Sequence, residues 1–549
     1  MKRWFVLSLI MVLVCSISLA GLAREVAVSD AGVYPIVAEP HELSLWAVQP
    51  SDVADYATNL QTRWYEEFTG VKTHWTTTPS QGRFQQFQTS VLSGEWPDIY
   101  LFEFDLGDLK VLVDYEVLLP LDELIEEHTV YIKQALVDSP EIRDAIVNPF
   151  DGKIYTLFED TYNLNSVINR MYVNKNWLEQ YETATGKGMP STTEDFEEML
   201  LFFRDNDMNG NGDVGDEIPY LGSNAWTQGG DGVFYLLGSF APTSTLNCAF
   251  ATILNDDGTA YFSANTEEFR EGLRYVRRLY EQGLITEETF ITDNSQRFSY
   301  TSVPRDEVVV GVISSRAIEE CIALTNNDSY VDFSDYIAIP PLKGPGGIRT
   351  TVAAADNIIT RRSGITATCS NPEIAIKWLD YWYSEEGRAW VINGGQEGVQ
   401  WWWEDGESLN GPARVIKRTD DVELLYNAAW SNSAVAKILK ESDFDNMDVS
   451  GINTNALLRN ELDRRIYEPY VVYHNWPSQW TTDEAIGMEF GEINMNIKDY
   501  VGQAYVSFIM GNTDISSDED WNAYLEGLNA VGLERFLEVV SSVAENRVM

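Results

Sequence analysis

The chain has 549 residues and a formal charge of −47; that length can bury more than one core, so at least two domains are expected. The charge repels nucleic acid and anionic lipid and disfavours polyanionic substrates such as uronate polymers, which leaves neutral ligands as the easier match. Aromatic residues make up 12% of the chain, with 17 tryptophans, enough flat rings to stack on the C–H faces of sugars as well as fill cores.

Residues 1–23 read as a secretory signal. Lys2 and Arg3 are its charged end, residues 4–14 are apolar apart from one serine, and Ser18-Leu19-Ala20 and Gly21-Leu22-Ala23 both offer small residues for cleavage. The run is too short for a membrane-spanning helix. Cys15 raises lipid anchoring as an alternative, but Val14 stands where a small residue is needed. The expectation is a soluble exported protein, in the periplasm or on the extracellular face. Cleavage leaves Cys248, Cys321 and Cys369. An odd number leaves room for one disulfide, not for a cysteine scaffold.

The spacing predicts a strand over 42–48, a helix over 52–69 with Ala54, Leu60, Trp64 and Phe68 facing inward, and Gly70 as its stop. A strand over 71–75, a helix over 84–92 and a strand over 97–102 follow. Alternating strands and helices predict an α/β sheet with parallel strands. Ligands of such sheets sit beyond the carboxyl ends of strands, which draws attention to Trp46, Glu103 and Phe104. Residues 118–132 read as a loop and surface helix, and 176–181 as a helix. Ser191-Thr192-Thr193-Glu194 is a capping box opening a helix through Phe203.

Directly after that helix comes Asp207-Met208-Asn209-Gly210-Asn211-Gly212-Asp213-Val214-Gly215-Asp216-Glu217-Ile218. Oxygen side chains alternate with glycine or other residues, as a hard cation with six to eight oxygen ligands requires. The spacing begins like an EF-hand loop and then departs, because the acids come early and the twelfth place holds no glutamate. A structural Ca2+ is expected here, against the plainer alternative of an Asn/Gly-rich surface turn. Farther on, 266–282 is amphipathic, with Phe269, Leu273, Val276, Leu279 and Tyr280 at helical spacing. Residues 308–313 and 336–339 read as strands. The loop 340–347 is a natural crossover, and 372–383 is a helix with Asn371 as a cap. Helices are expected over 421–429, 488–510, 518–529 and 533–543.

Several separated segments resemble one family. Thr69-Gly70-Val71, Ser93-Gly94-Glu95-Trp96-Pro97-Asp98-Ile99, Leu119-Pro120-Leu121-Asp122-Glu123-Leu124-Ile125, Asp151-Gly152-Lys153-Ile154-Tyr155 and Tyr172-Val173-Asn174-Lys175-Asn176-Trp177-Leu178 occur in its order. So do Asp216-Glu217-Ile218-Pro219, Leu279-Tyr280-Glu281-Gln282-Gly283-Leu284-Ile285, Ser384-Glu385-Glu386-Gly387, Glu397-Gly398-Val399, Phe508-Ile509-Met510-Gly511 and Trp521. The chain resembles extracellular solute-binding proteins of ABC importers, in the large oligosaccharide-binding branch with the LipO-like and alginate-binding proteins. The resemblance implies an α/β, two-lobed, type II periplasmic-binding-protein fold with a hinge, a ligand cleft and a largely helical C-terminal part. It places the first lobe at 40–160 plus about 350–390, and the second at 161–349 plus about 391–549. It also implies a structural Ca2+. The family's Asp-Glu pair usually comes one residue earlier than here, so direct ligation by Asp213, Asp216 and Glu217 stays open. The reading adopted takes side chains from Asp207, Asn209, Asn211, Asp216 and Glu217 and a carbonyl from Asp213.

For the ligand, three adjacent rings at Trp401, Trp402 and Trp403 cannot all face one core, so at least one is expected to be free to stack on sugar. Packing between the lobes is the alternative. Glu397 can accept from a hydroxyl or cap the Gly394-Gly395 turn. Trp226 lies near Asn224 and Gln228 in a Gly-rich loop, and Trp46 ends the first strand. Glu103, Glu159, Asp160 and Asp356 sit at strand ends or crossovers, and Trp476 and Trp480 are further rings. The function expected is capture of a neutral oligosaccharide by a monomer that delivers it to ABC permease subunits, without catalysis. A secreted glycoside hydrolase with paired carboxylates and a peptide receptor on the same fold are the alternatives. The chain carries no His-Glu-x-x-His, phosphate-loop or Gly-x-Ser-x-Gly motif.

Overall fold

The computed structural model describes residues 27–545 except 50–52, 80, 165, 168, 224–231, 244–250, 256, 293, 324, 326, 354–356, 420–426, 431–436, 452–455 and 474–483. The signal segment with Cys15, as well as Cys248, lies outside the described residues, as does most of the helix expected over 421–429. The chain divides into two compact units. Unit 1 comprises 1–158, 361–400 and 420–437, and unit 2 comprises 159–360, 401–419 and 438–549.

Unit 1 opens with β1 (His41–Gln49), α1 (Leu60–Thr69), β2 (Val71–Pro79), α2 (Arg83–Ser93), β3 (Ile99–Phe104), α3 (Leu106–Asp114), α4 (Asp122–His128) and α5 (Tyr131–Asp138). The helix expected over 52–69 starts only at Leu60. The Asp55 carboxylate accepts from the Ala57 N–H in a turn, and the Asn59 side chain then caps α1 by accepting from the Gln61 N–H. Its inward face is also shifted. Gln61, Thr62, Tyr65 and Thr69 are buried, whereas Ala54 is exposed and Leu60, Trp64 and Phe68 are half-buried. Two of the buried polar side chains receive hydrogen bonds from Trp430: its backbone N–H reaches Gln61 Oε1 at 2.6 Å and its Nε1 reaches Thr62 Oγ1 at 2.6 Å. Gly70 ends α1 at φ 75°, as its position suggested.

The chain passes from unit 1 to unit 2 inside β4 (Leu157–Tyr162), after Phe158. Unit 2 continues with β5 (Arg170–Asn174), α6 (Lys175–Thr185), α7 (Thr193–Asp205), β6 (Ile218–Leu221), α8 (Glu267–Glu281), β7 (Val310–Ser315) and β8 (Tyr336–Ile339). The cap of α7 is Thr192, whose hydroxyl accepts from the Asp195 N–H at 3.1 Å, while Asp195 Oδ2 accepts from the Thr192 N–H at 3.1 Å. The box therefore closes on Asp195 rather than on Glu194. Thr192→Ala is expected to cost about 1 kcal/mol in urea unfolding, the usual worth of such a cap. In α8, Phe269, Leu273, Val276 and Leu279 are buried and Tyr280 half-buried, as the periodicity predicts.

The return to unit 1 falls at 360/361 inside β9 (Asn357–Ile365), while 340–347 lies within unit 2. Unit 1 then adds α9 (Pro372–Asp380) and α10 (Glu385–Asn393). Asn371 is the N-cap residue of α9 without a side-chain cap bond, and Pro372 supplies the first turn. Unit 2 resumes with the hairpin of β10 (Trp401–Ser408) and β11 (Gly411–Arg418), and later with β12 (Ile438–Leu439), α11 (Ala456–Tyr467), α12 (Glu484–Met510), α13 (Asp518–Ala530) and α14 (Leu533–Glu545). Cys321 and Cys369 are both free thiols in buried positions. No helix among the described residues is long and apolar enough to cross a membrane.

In unit 1 the strands lie in the order β2-β1-β3-β9. Strand β1 is parallel to β2 (His41 opposite Val71) and to β3 (Leu45 opposite Ile99), and β9 is antiparallel to β3 (Arg361 opposite Phe104). The parallel arrangement expected from alternation thus holds for three strands, and the returning strand breaks it. The sheet of unit 2 is mixed, in the order β8-β5-β7-β6, with only β6 and β7 parallel. In unit 1, β1 has β2 on one side and β3 on the other. That is a topological switch point, the place outside the carboxyl ends of the strands where ligands of open α/β sheets bind.

Candidate functional site

The carboxyl edge of the unit 1 sheet collects charge. Glu103 and Phe104 end β3, and Asp105 caps α3 by accepting from the Asp108 N–H. The returning β9 brings Arg361 and Arg362 opposite them. Arg362 reaches Glu103 Oε2 at 3.4 Å, so the acid singled out at the strand end is ion-paired. Trp46 is 5% exposed. Its ring meets Phe87, Tyr100 and Phe102 edge-on at centroid distances of 5.8, 5.9 and 5.5 Å, as part of an aromatic core cluster with Phe104. Glu397 is exposed in the turn after α10. That turn is tied by Gln400, whose Oε1 accepts from the Gln396 N–H at 2.9 Å.

In unit 2, Glu159 is buried and Asp160 half-buried on β4, with Asp160 opposite Ile438 of β12. The three tryptophans lie on β10, where alternation sends neighbouring rings to opposite faces. Trp401 is buried, Trp402 is 40% exposed, and Trp403 is half-buried with the Arg414 guanidinium 5.7 Å over its ring. Asn224, Trp226, Gln228, Asp356, Trp476 and Trp480 lie outside the described residues.

The acidic loop joins α7 to β6 and folds around its own first acid. Asp207 Oδ1 accepts from the N–H groups of Gly210 and Asn211 at 2.7 and 3.1 Å, and Oδ2 accepts from Gly212 at 2.8 Å. Asn209 Oδ1 accepts from the Asn211 N–H and Asn211 Oδ1 from the Asp213 N–H. The exposed Asp213 turns its carboxylate onto the Gly215 N–H. Asp216 Oδ2 accepts from Asn211 Nδ2 at 2.6 Å, and Glu217 Oε1 accepts from the Met208 N–H at 2.8 Å. Their other oxygens, Asp216 Oδ1 and Glu217 Oε2, are buried with no hydrogen-bond partner among the described residues. Burial raises the Glu217 carboxyl above its ordinary value, with the nearby Asp216 and Asp207 adding to the effect. Among the described residues no three His, Cys, Asp or Glu side chains converge closely enough to form a metal cluster. The donors present are nonetheless all hard oxygens, and the two orphaned carboxylate oxygens are what a hard cation would satisfy.

The family of bacterial extracellular solute-binding proteins matches residues 50–389. The chain belongs to that family. It is 26% identical over 496 residues to the fructooligosaccharide ABC transporter substrate-binding protein FusA of Streptococcus pneumoniae serotype 4, covering 86% of this chain and 84% of FusA. It is 22% identical over 364 residues to lipoprotein LipO of Bacillus subtilis, covering 65% of this chain and 67% of LipO. The solved structure of a FusA EF-hand mutant in complex with fructo-nystose superposes with a TM-score of 0.69 at 23% identity, covering 92% of this chain and 99% of that one. The alginate-binding protein AlgQ2 without calcium ion gives 0.62 at 17% identity, over 94% and 100%. The α/β architecture is therefore the two-lobed one of ABC-importer binding proteins.

For a solute-binding protein these groups divide by chemistry. Exposed Trp402 offers a flat apolar plate, and Glu397 an acceptor with no hydrogen bond to a described residue. The Glu103–Arg362 pair already satisfies itself in part. The oxygen-lined loop turns N–H donors onto its own Asp, Asn and Glu side chains, which leaves hard oxygens as its main chemistry. Arg361 and Arg362 were not legible as site residues from the sequence. The only signal was a pair of cations in a strand of a chain with so few of them.

Proposed function

We propose that this chain is the substrate-capturing component of an ABC importer, and that it binds a neutral oligosaccharide as a monomer and delivers it unchanged to membrane permease subunits. The observation that carries this reading is the near-full-length similarity to a fructooligosaccharide-binding relative. The exposed Trp402 ring and the strong negative charge, which favours uncharged ligands, support it. Residues 1–23 act as a cleaved export signal, in keeping with an extracellular family.

Titration calorimetry against neutral fructans, glucans and galactans, paired with a reducing-end assay, tests it. The expected result is binding at micromolar or tighter dissociation constants with no new reducing ends. Turnover of any bound sugar would replace the binder with a hydrolase, and a panel without a ligand would end the oligosaccharide reading. Trp402→Ala is expected to weaken binding of the preferred sugar about three- to ten-fold, the worth of one stacking plate. An unchanged isotherm would remove Trp402 from the site.

The acidic loop is proposed to hold one structural Ca2+. Asp207, Asn209, Asn211, Asp216 and Glu217 would supply side-chain oxygens, and Asp213 a carbonyl. The ion would neutralise the paired acids and fix the link between α7 and β6. The orphaned Asp216 and Glu217 oxygens support this assignment.

A further inference from the structure

Arg361 stands directly opposite Phe104, the last residue of β3. It is 9% exposed, yet its Nε and Nη2 have no hydrogen-bond partner among the described residues. Burial disfavours its charge, and among the described residues Asp105 is the acid that offsets this; that carboxylate is exposed, with Oδ1 engaged by the Asp108 N–H at 2.6 Å. The adjacent Arg362 is different, because it reaches Glu103. A buried guanidinium with unmade N–H bonds is costly, and removing the cation from such a position normally stabilises a fold. The position is also particular. Residues paired across antiparallel strands project to the same face, so Arg361 shares the sheet face of Phe104, Phe102 and Tyr100, at the carboxyl edge beside the switch point between β1 and β3. A planar fork of donors beside aromatic rings matches two oxygens held side by side.

We propose that Arg361 is a ligand-contacting residue whose Nε and Nη2 donate a pair of hydrogen bonds to two adjacent oxygens of the bound glycan. The inference rests on the oligosaccharide reading above. Adjacent oxygens occur in the vicinal diols of neutral sugars and in the carboxylate of uronic acids. The mature protein and its Arg361→Gln and Arg361→Lys variants are compared by calorimetry against neutral oligosaccharides and against uronate oligomers of matched length, and by thermal melting without ligand. For the neutral sugar that wild type prefers, Arg361→Gln is expected to bind at least about ten-fold more weakly. Arg361→Lys should fall in the same direction, because a point charge cannot form the fork. The ligand-free melting temperature of Arg361→Gln, which removes the cation, should equal or exceed that of wild type. Selective loss of uronate binding would support the paired donors and assign them to a carboxylate. Equal affinity in wild type and Arg361→Gln would overturn the inference while leaving the oligosaccharide reading standing. A ligand-free melt lowered in both variants would overturn it too, marking the guanidinium as a structural group satisfied by water. A wild type that binds no sugar would overturn the oligosaccharide reading and this inference together.

Discussion

Chelation is expected to lower the melting temperature of the purified protein by several degrees, and millimolar calcium to restore it. The expectation starts from Asp216 and Glu217, neighbouring acids with one buried oxygen each left unpartnered. Two adjacent carboxylates repel, and burial makes Glu217 harder to ionise. A divalent cation offsets both costs in the folded loop and has no comparable site in the unfolded chain. At a free concentration a thousand-fold above the dissociation constant it adds about 4 kcal/mol to stability by mass action. Three backbone N–H groups converge on the Asp207 carboxylate and hold the loop in a tight turn around it. Glu217→Gln should weaken the ion's hold, so that its melts with chelator and with calcium move together. Magnesium should restore less than calcium, because it demands a tighter octahedral shell. Coincident wild-type melts in chelator and calcium, with no metal in the purified protein, would remove the ion from the loop.

The tight turn of that loop, though not an ion in it, could be read from the sequence because its information is local: oxygen side chains at alternate positions, with glycines between. The same is true of β1, β3, β8 and α8, where one period is enough to choose the element. What stayed hidden depends on partners far along the chain. In α1, Gln61 and Thr62 are buried because Trp430, more than three hundred residues later, donates to them. No periodicity of α1 itself carries that fact, so the sequence alone points to the apolar stripe of Leu60, Trp64 and Phe68 as the inner face. Helix α11 has no apolar period that would mark it. It buries Arg459, Asn460, Glu461, Asp463 and Arg464, and charged residues read as surface unless their pairing is known. Here Arg459 and Asp463 meet at 2.9 Å, and Arg459 also donates to the carbonyls of Phe333 and Tyr336. The candidate sugar contacts divide the same way. The run of three tryptophans announced an exposed ring, whereas Arg361 became visible only when β9 placed it opposite Phe104.

Asp380→Ala is expected to destabilise the protein by about 2–4 kcal/mol, because it leaves three backbone donors at the start of α5, one buried and two part-buried, without their acceptor. Asp380 ends α9 and is 1% exposed. Its carboxylate accepts from the N–H groups of Val130, Tyr131 and Ile132 at 2.9, 3.0 and 2.7 Å, and so caps α5, whose own N-cap residue, Val130, has no side-chain bond to give. Burial pushes the carboxyl up from 3.8 to about 6, and the three N–H groups pull it back only in part. The sign of the pH dependence follows. The folded protein holds this proton more tightly than the unfolded chain does, so the associated stability is fully present below pH 3.8 and is lost as pH rises through about 6. Against Asp380→Asn, which cannot titrate, wild type should gain up to about 3 kcal/mol in urea unfolding as pH falls from about 7 to about 4. Subtracting the variant removes the contribution of every other carboxylate in this acidic chain. Curves that stay parallel across that range would show that Asp380 remains ionised in the fold, held by its three donors, and would leave its role as a cap intact without the proton.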